Sequence, residues 1–371
     1  MFSGLENWFL NLPEGAQFLL LTVVKIGIML GVVNGAVSYF GVLLERKGSA
    51  YIQDRLGPNR VGIWGLAQPI ADGLKLILKE DYTPAHVKRA LFLLAPALAM
   101  IPAFLTFAVI PFTSQVLVGG KSFSGAIADL DVGVLYTFGI VSLAVYGIVI
   151  AGYASNSKYP FLGGIRSSAQ MISYELSMGL AVIPLFMSVQ GLNLPDIVAS
   201  QSGTHMLIPF LPNWAIFQSP MLFLSFVIFL VAAFAETNRL PFDMPESETE
   251  LVAGYHTEYS SLKFGMFFLG EYAAMLAVSA LMATLFLGGW GLPIMIGDIR
   301  LDAPATNMWV AAIQFGILFA KIVAFMMLFV WIRWTLPRFR YDQLMNIGWK
   351  GFLPLALANV VITALWMWMR A

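Results

Sequence analysis

Eight long, almost uncharged runs decide what this chain can fold into. They lie near residues 17–43, 91–113, 131–154, 167–189, 220–236, 262–289, 308–334 and 348–369. A hydrocarbon core about 30 Å thick takes about 20 helical residues to cross, so all eight can span a bilayer, the fifth only barely. Lipid offers no hydrogen bonds, so each run must satisfy its own backbone as a helix or join a closed barrel. The ten-residue alternation of a barrel is missing from the sequence. The expected fold is therefore an all-α polytopic membrane protein, a single integral membrane domain over residues 1–371. The amino terminus, Met1 to Trp8, carries neither the basic region nor the small-residue cleavage site of a signal peptide, so the first span is read as retained.

Composition narrows the chemistry. The chain is 59% hydrophobic and 11% charged. It contains no cysteine, which excludes disulfides and thiolate-ligated iron–sulfur clusters. The three histidines, His86, His205 and His256, have no ligand spacing, so no metal site is expected. There is no glycine-rich nucleotide fingerprint either, and no cofactor is expected on this chain. Charge distribution sets orientation. Sixteen lysines and arginines follow spans one, three, five and seven, whereas only Lys121, Arg300 and Arg370 fall on the other side. The positive-inside rule places the basic side in the cytoplasm and both termini outside. The outer stretches 114–130, 190–219 and 290–307 read as simple connectors.

Three cytoplasmic segments carry polar character. The acidic loop 236–261 holds Glu236, Asp243, Glu246, Glu248, Glu250 and Glu258 beside Arg239, with Pro241 and Pro245 breaking regular helix. As a bare charge run it is a solvated face; packed against a membrane, it can store and pass protons. Residues 63–80 form an amphipathic helix with Gln68, Asp72, Lys75 and Lys79 on one face. That face meets water if the helix lies on the bilayer, or a protein cavity if Asp72 and Lys75 point inward. Between span one and this helix, Arg55, Gly57, Pro58, Asn59 and Arg60 offer turn chemistry and positive charge to a lipid head group or a substrate.

Four ionisable residues lie inside spans: Lys25, Glu175, Glu271 and Lys321. A charge at mid-bilayer costs about 2.5–3.5 kcal/mol on insertion scales, so such residues face the interior and find partners. Lys25 is close enough to the outer end to snorkel. Lys321 is expected to be neutralised by Glu175, Glu271 or a proton-sharing pair of them, either as a static ion pair or as part of a relay. Tyr174 and Tyr272, next to the two acids, offer hydroxyls to the same network.

The run Glu236-Thr-Asn-Arg-Leu-Pro-Phe-Asp243, followed by Glu246-Ser-Glu-Thr-Glu-Leu-Val-Ala-Gly254 and Thr257-Glu-Tyr259, resembles the quinone-site membrane subunit of respiratory complex I. This is the H-type family of NADH:quinone oxidoreductase membrane subunits, whose mitochondrial counterpart is NADH dehydrogenase subunit 1. Glu45-Arg-Lys, the Asp54-to-Gly62 element, Asp72-Gly-Leu-Lys-Leu, Ser173-Tyr-Glu, Gly270-Glu-Tyr and the Trp331-to-Leu344 segment are similar to the same family, in the family's order.

The resemblance implies a subunit of a proton-translocating enzyme in a bacterial inner membrane, inactive alone. Its partners would be the other membrane subunits and peripheral subunits carrying FMN and iron–sulfur clusters. It would bind membrane quinone and phospholipid, and no nucleic acid. Arg46, Arg55, Asp72, Glu246, Glu248 and Phe242 would line the quinone chamber. Glu175, Glu236, Glu246, Glu248, Glu250, Glu271, Lys321 and Asp72 would form a proton path from that chamber into the membrane. Two alternatives remain on sequence grounds: the equivalent membrane subunit of a hydrogenase or formate hydrogenlyase complex, and a stand-alone cation/proton transporter built on the buried charges.

Overall fold

The structure is a computed structural model, describing residues 13–118, 121–204, 211–243, 252–296, 299–305 and 307–370. Among the described residues, seven helices are long and apolar enough to cross a membrane, and an eighth, Pro220–Glu236, is shorter. The chain is an all-α polytopic membrane protein.

The first span is α1 (Glu14–Ala36), a π-helical segment (Val37–Leu43) and α2 (Leu44–Ile52) in one continuous rod. After it comes α3 (Gln68–Leu78), shorter than the expected 63–80 because a 3-10 turn at Ile63–Gly65 precedes it and the chain is extended at Lys79. The remaining spans are α4 (Arg89–Thr106), α5 (Gly133–Ala154), α6 (Lys158–Val189), α9 (Pro220–Glu236), α10 (Ser261–Phe286), α11 (Met308–Thr335) and α13 (Leu353–Arg370). Shorter pieces are α7 (Leu194–Ser200), α8 (Ala215–Gln218) and α12 (Tyr341–Asn346), the last continuing through a second π-helical segment, Ile347–Phe352. Helix α6 starts nine residues before the expected 167, because Ser157 opens it in extended conformation ahead of the apolar run.

Spans alternate in direction, so the bundle has a basic face and an opposite face. Helix α10 is its centre, with 72% of its apolar window buried. Small residues let the backbones meet there, as in membrane bundles generally. A Cβ on Gly147 would lie 2.5 Å from Ala99 N, and one on Gly270 would lie 3.1 Å from Met100 Cα, so α5 and α10 both close directly onto α4.

The opposite face is more than simple connectors, which corrects the sequence expectation. Leu194, Ile197 and Val198 of α7 are buried, and the Gln201 side chain knits three segments together. Its Nε2 donates to Leu285 O (3.0 Å) and Thr284 O (3.3 Å), while its Oε1 accepts from Ala215 N (2.9 Å) and Gly288 N (3.0 Å). The end of α10 would otherwise leave those carbonyls without partners. Two short hairpins, β1 (Val116–Val118) with β2 (Lys121–Phe123) and β3 (Met295–Ile296) with β4 (Ile299–Arg300), complete this face. Asp302 holds it to the 201–204 turn, accepting from Gly203 N (2.8 Å) and pairing with Arg300 (2.8 Å). Burial alone would raise the Asp302 carboxyl, but the bonds from Arg300 and Gly203 overcome that and hold it below the ordinary value.

Candidate functional site

On the basic face, the end of α9 turns sharply. Gln170 of α6 fixes this turn, its Nε2 donating to Ala235 O (2.8 Å), Phe242 O (2.8 Å) and Asn238 Oδ1 (3.2 Å). Asn238 takes the left-handed conformation such a turn requires (φ 49°) and donates to Ser167 Oγ (3.2 Å). The consequence is that Arg239 is aimed back into the bundle rather than at water.

Arg239 lies between two acids. Its guanidinium is 3.2 Å from Glu45 of α2 and 2.7 Å from Glu271 of α10, and it stacks over the Tyr272 ring at 4.4 Å. Tyr272 donates its hydroxyl to Glu45 Oε2 (2.8 Å), and Arg333 at the end of α11 also pairs with Glu45. Glu45 and Arg239 are buried; removing such charges from water is costly unless each is paired and hydrogen-bonded, as here. Nearby, Arg338 pairs with Asp243 at 3.1 Å.

The π-helical segment just before Glu45 makes the network possible. It brings Gly41 so near Tyr272 that a Cβ would lie 2.8 Å from Cδ1. Only a glycine lets the ring lie flat against the first span and reach Glu45. Widened turns of this kind recur at functional sites.

This network forms one wall of a cavity of about 920 Å³. Phe264, Phe268 and Trp334 supply an aromatic wall, and Arg46, Arg55 and Arg338 supply positive charge. His256, on the 3-10 turn Gly254–His256, also lines it. Burial pushes that imidazole down to about 4, so it is neutral at physiological pH. Its ring makes edge contacts with Phe264 (5.3 Å) and Phe268 (6.0 Å).

The residues expected at the site divide as follows. Arg46 and Arg55 line the cavity. Asp72 pairs with Arg46 at 2.6 Å and accepts from Gln68 at 3.1 Å, so it meets protein, whereas Lys75 and Lys79 of the same face are exposed, as are Ile70, Leu74 and Ile77. Phe242 is packed beside Tyr174 (5.8 Å) and Phe339 (5.6 Å), away from the cavity lining. Glu246, Glu248 and Glu250 lie outside the described residues.

Deeper in the bundle, Glu236 is buried with neither carboxylate oxygen hydrogen-bonded among the described residues. It borders a second cavity of about 40 Å³, walled by Ala99, Ala103, Ala144, Ala274 and Ala277. That volume admits a water molecule, which a buried carboxylate would hold. Glu175 is half-buried and close enough to Glu236 for their charges to interact.

Three expectations are corrected. Lys321 is not neutralised by Glu175 or Glu271. Its Nζ donates to Leu287 O (2.7 Å), Gly289 O (2.7 Å) and Gly291 O (2.9 Å), because the chain after α10 folds in to meet it, and Glu271 is taken by Arg239. Lys25 does not snorkel. It donates to Ser124 O (2.6 Å) and Ala126 O (2.8 Å), since that connector packs against α1. Tyr174 donates to Leu344 O (2.9 Å), tying α6 to α12 instead of serving Glu175.

Sequence reasoning missed Glu45, Arg239, Tyr272 and Arg333 as one network. Their charges are visible in the sequence, but Glu45 and Arg239 are 194 residues apart. His256 carried no spacing signal at all.

Residues 24–364 match the family model described as NADH dehydrogenase. The chain is 48% identical to an H-type chain of NADH-quinone oxidoreductase from Syntrophobacter fumaroxidans, over 95% of this chain and 98% of that protein. It is 46% identical to an H-type chain of the same enzyme from Cytophaga hutchinsonii, over 88% and 91% respectively. It is 45% identical to one from Koribacter versatilis, over 95% and 98%. Matched by the family model over residues 24–364 and by these relatives over nearly its whole length, this chain belongs to the NADH dehydrogenase family that includes the H-type membrane chains of NADH-quinone oxidoreductase.

Proposed function

We propose that this chain is the membrane subunit that forms the quinone chamber of a proton-translocating NADH:quinone oxidoreductase, with its basic face in the cytoplasm. One observation carries the reading: a cavity of about 920 Å³ sets an aromatic wall against the Glu45–Arg239–Glu271–Tyr272 network. Ligand sites are apolar clefts of roughly 300–1,000 Å³ with a few placed polar groups. A quinone, a flat ring with two carbonyl oxygens, suits a cavity of that size whose aromatic wall faces charged side chains. Family membership makes the chain one subunit of a multisubunit oxidoreductase, and electrons arrive from clusters and flavin in partner subunits.

Reducing a quinone to quinol takes two electrons and two protons, and the reduced oxygens carry negative charge until the protons arrive. Arg46, Arg55 and Arg338 stabilise that charge. Carboxylates facing it gain proton affinity, and the loop acids Glu246, Glu248 and Glu250 respond first. Glu271 feels the change through Arg239, and Glu236 and Glu175, close enough to interact, carry it toward neighbouring membrane subunits. Asp72 keeps Arg46 in place. Lys321 stands apart from that string.

The test uses the assembled complex in proteoliposomes. A photoreactive quinone should label the segments holding Phe268 and Trp334, with excess quinone protecting them. In the Glu236→Gln complex, quinone reduction should persist while proton pumping is lost. Labelling elsewhere would refute the chamber, and intact pumping would remove Glu236 from the path.

A further inference from the structure

Two ammonium groups on spans belong to neither the cavity nor its acids, and both donate to backbone carbonyls. Lys321 Nζ donates to three backbone carbonyls and lies 4.7 Å from the centre of the Trp214 ring. Three acceptors match the three N–H donors of a protonated amine. A ring face favours the same cation. The carbonyls follow the C-terminus of α10, where the helix dipole leaves partial negative charge. Lys321 is thus satisfied as a cation without being neutralised. Lys25 repeats the arrangement on Ser124 O and Ala126 O. Among the described residues, no carboxylate is within ion-pair distance of either lysine, although the charge of Asp129 reaches Lys25 from farther off.

Position gives the pair a meaning. Helical side chains lean toward the helix N-terminus. Helices α1 and α11 both start at the opposite face, so Lys25 and Lys321 lean that way. Helix α10 starts at the basic face, so Glu271 leans toward the cavity. Between the Glu236 cavity and the opposite face, the α10 end is closed by Gln201, whose side chain uses both its donors and its acceptor within the protein.

We propose that Lys25 and Lys321 form a cationic seal across the opposite half of the subunit, which stops a proton held at Glu236 or Glu271 from escaping to that face. Fixed positive charge excludes protons and cations from membrane pores in the same way. The seal leaves sideways transfer into neighbouring subunits as the way out for such a proton. This inference rests on the carboxylate path proposed above.

The experiment measures passive proton flow through the resting complex in proteoliposomes, with no substrate, an imposed proton gradient and an enclosed pH dye. Removing a charge from the opposite half should matter: Lys321→Gln should leak about tenfold faster than the parent, while Lys321→Arg, which keeps the charge, stays tight. Lys25→Gln should leak measurably. Adding Glu236→Gln to Lys321→Gln should restore tightness, because the proton then loses its station. If Lys321→Gln and Lys25→Gln both stay tight, or if the leak survives Glu236→Gln, the seal is refuted. Should Lys321→Gln fail to assemble, Lys25→Gln decides alone: a leak supports the seal and a tight vesicle overturns it. Failure of the path itself is read separately, as retained pumping in the single Glu236→Gln complex.

Discussion

Replacing Arg239 by glutamine leaves Glu271 without the one cation seen to pair with it, whereas Glu45 keeps Arg333 and Tyr272. At 2.7 Å the Arg239–Glu271 contact is a close ion pair. Both charges are delocalised over their groups, so an effective separation near 4 Å and an effective dielectric of about 20 give an attraction of about 4 kcal/mol. A lone buried charge costs about 3–5 kcal/mol when its partner is removed, while removing both partners leaves no orphan. The double variant Arg239→Gln, Glu271→Gln should therefore be less damaged than the two single losses together, with a coupling of about 2–4 kcal/mol. Amide exchange of the 234–242 turn in the assembled complex reads this locally, because Arg239 N bonds Phe234 O and Phe242 N bonds Arg239 O. Strictly additive losses would mean that Arg239 and Glu271 are neighbours without being partners, and the network would fall with them.

A methyl group added by Gly41→Ala must displace the Tyr272 ring, costing about 1–3 kcal/mol by overpacking. It should cut quinone reductase turnover, while Gly48→Ala, whose Cβ would meet only the Val330 side chain at 3.2 Å, should be mild. His256 supplies a pH window. Its folded value of about 4 lies below the ordinary 6.5, so the unfolded state binds the proton first; stability is complete above 6.5 and falls as pH drops toward 4, by about 3 kcal/mol at most. His256→Gln should flatten the pH dependence of complex inactivation over that range, and an unchanged slope would refute the assignment.

The spans were legible because lipid imposes one rule on every residue of a run, and a sum over twenty residues survives local errors. The acids were legible for the opposite reason, since each is an isolated exception in oil. Their partners were not. Which cation meets Glu271 depends on how the α9 turn is folded, and that turn is set by Gln170, an uncharged residue with no motif of its own. Lys321 was misread because sequence suggests counter-charges in the form of carboxylates. Backbone carbonyls at a helix end serve as well, and every sequence contains them. The π-helical segment before Glu45 has no compositional signature, yet it decides whether Tyr272 reaches the first span. Phe242 was assigned through the family resemblance, but the turn packs its ring beside Phe339, away from the cavity that Arg239 lines.

Chain direction nevertheless sorts by sign the four charges expected inside spans, whereas Glu45 and Glu236, nearer the basic ends of the first span and of α9, lie outside the pattern. Glu175 and Glu271 lie on α6 and α10, which start at the basic face; Lys25 and Lys321 lie on α1 and α11, which start opposite. Since side chains lean toward helix N-termini, these acids lean toward the basic face and the lysines toward the other. The rule needs only span order and residue type. Exchanging the sign at either set would turn a carboxylate toward the opposite face or an ammonium toward the cavity, and would set each new charge against the wrong partners, the carbonyls that receive Lys321 or the guanidinium that meets Glu271. In the proposed path, the direction of transfer would therefore depend on which spans carry acid and which carry base.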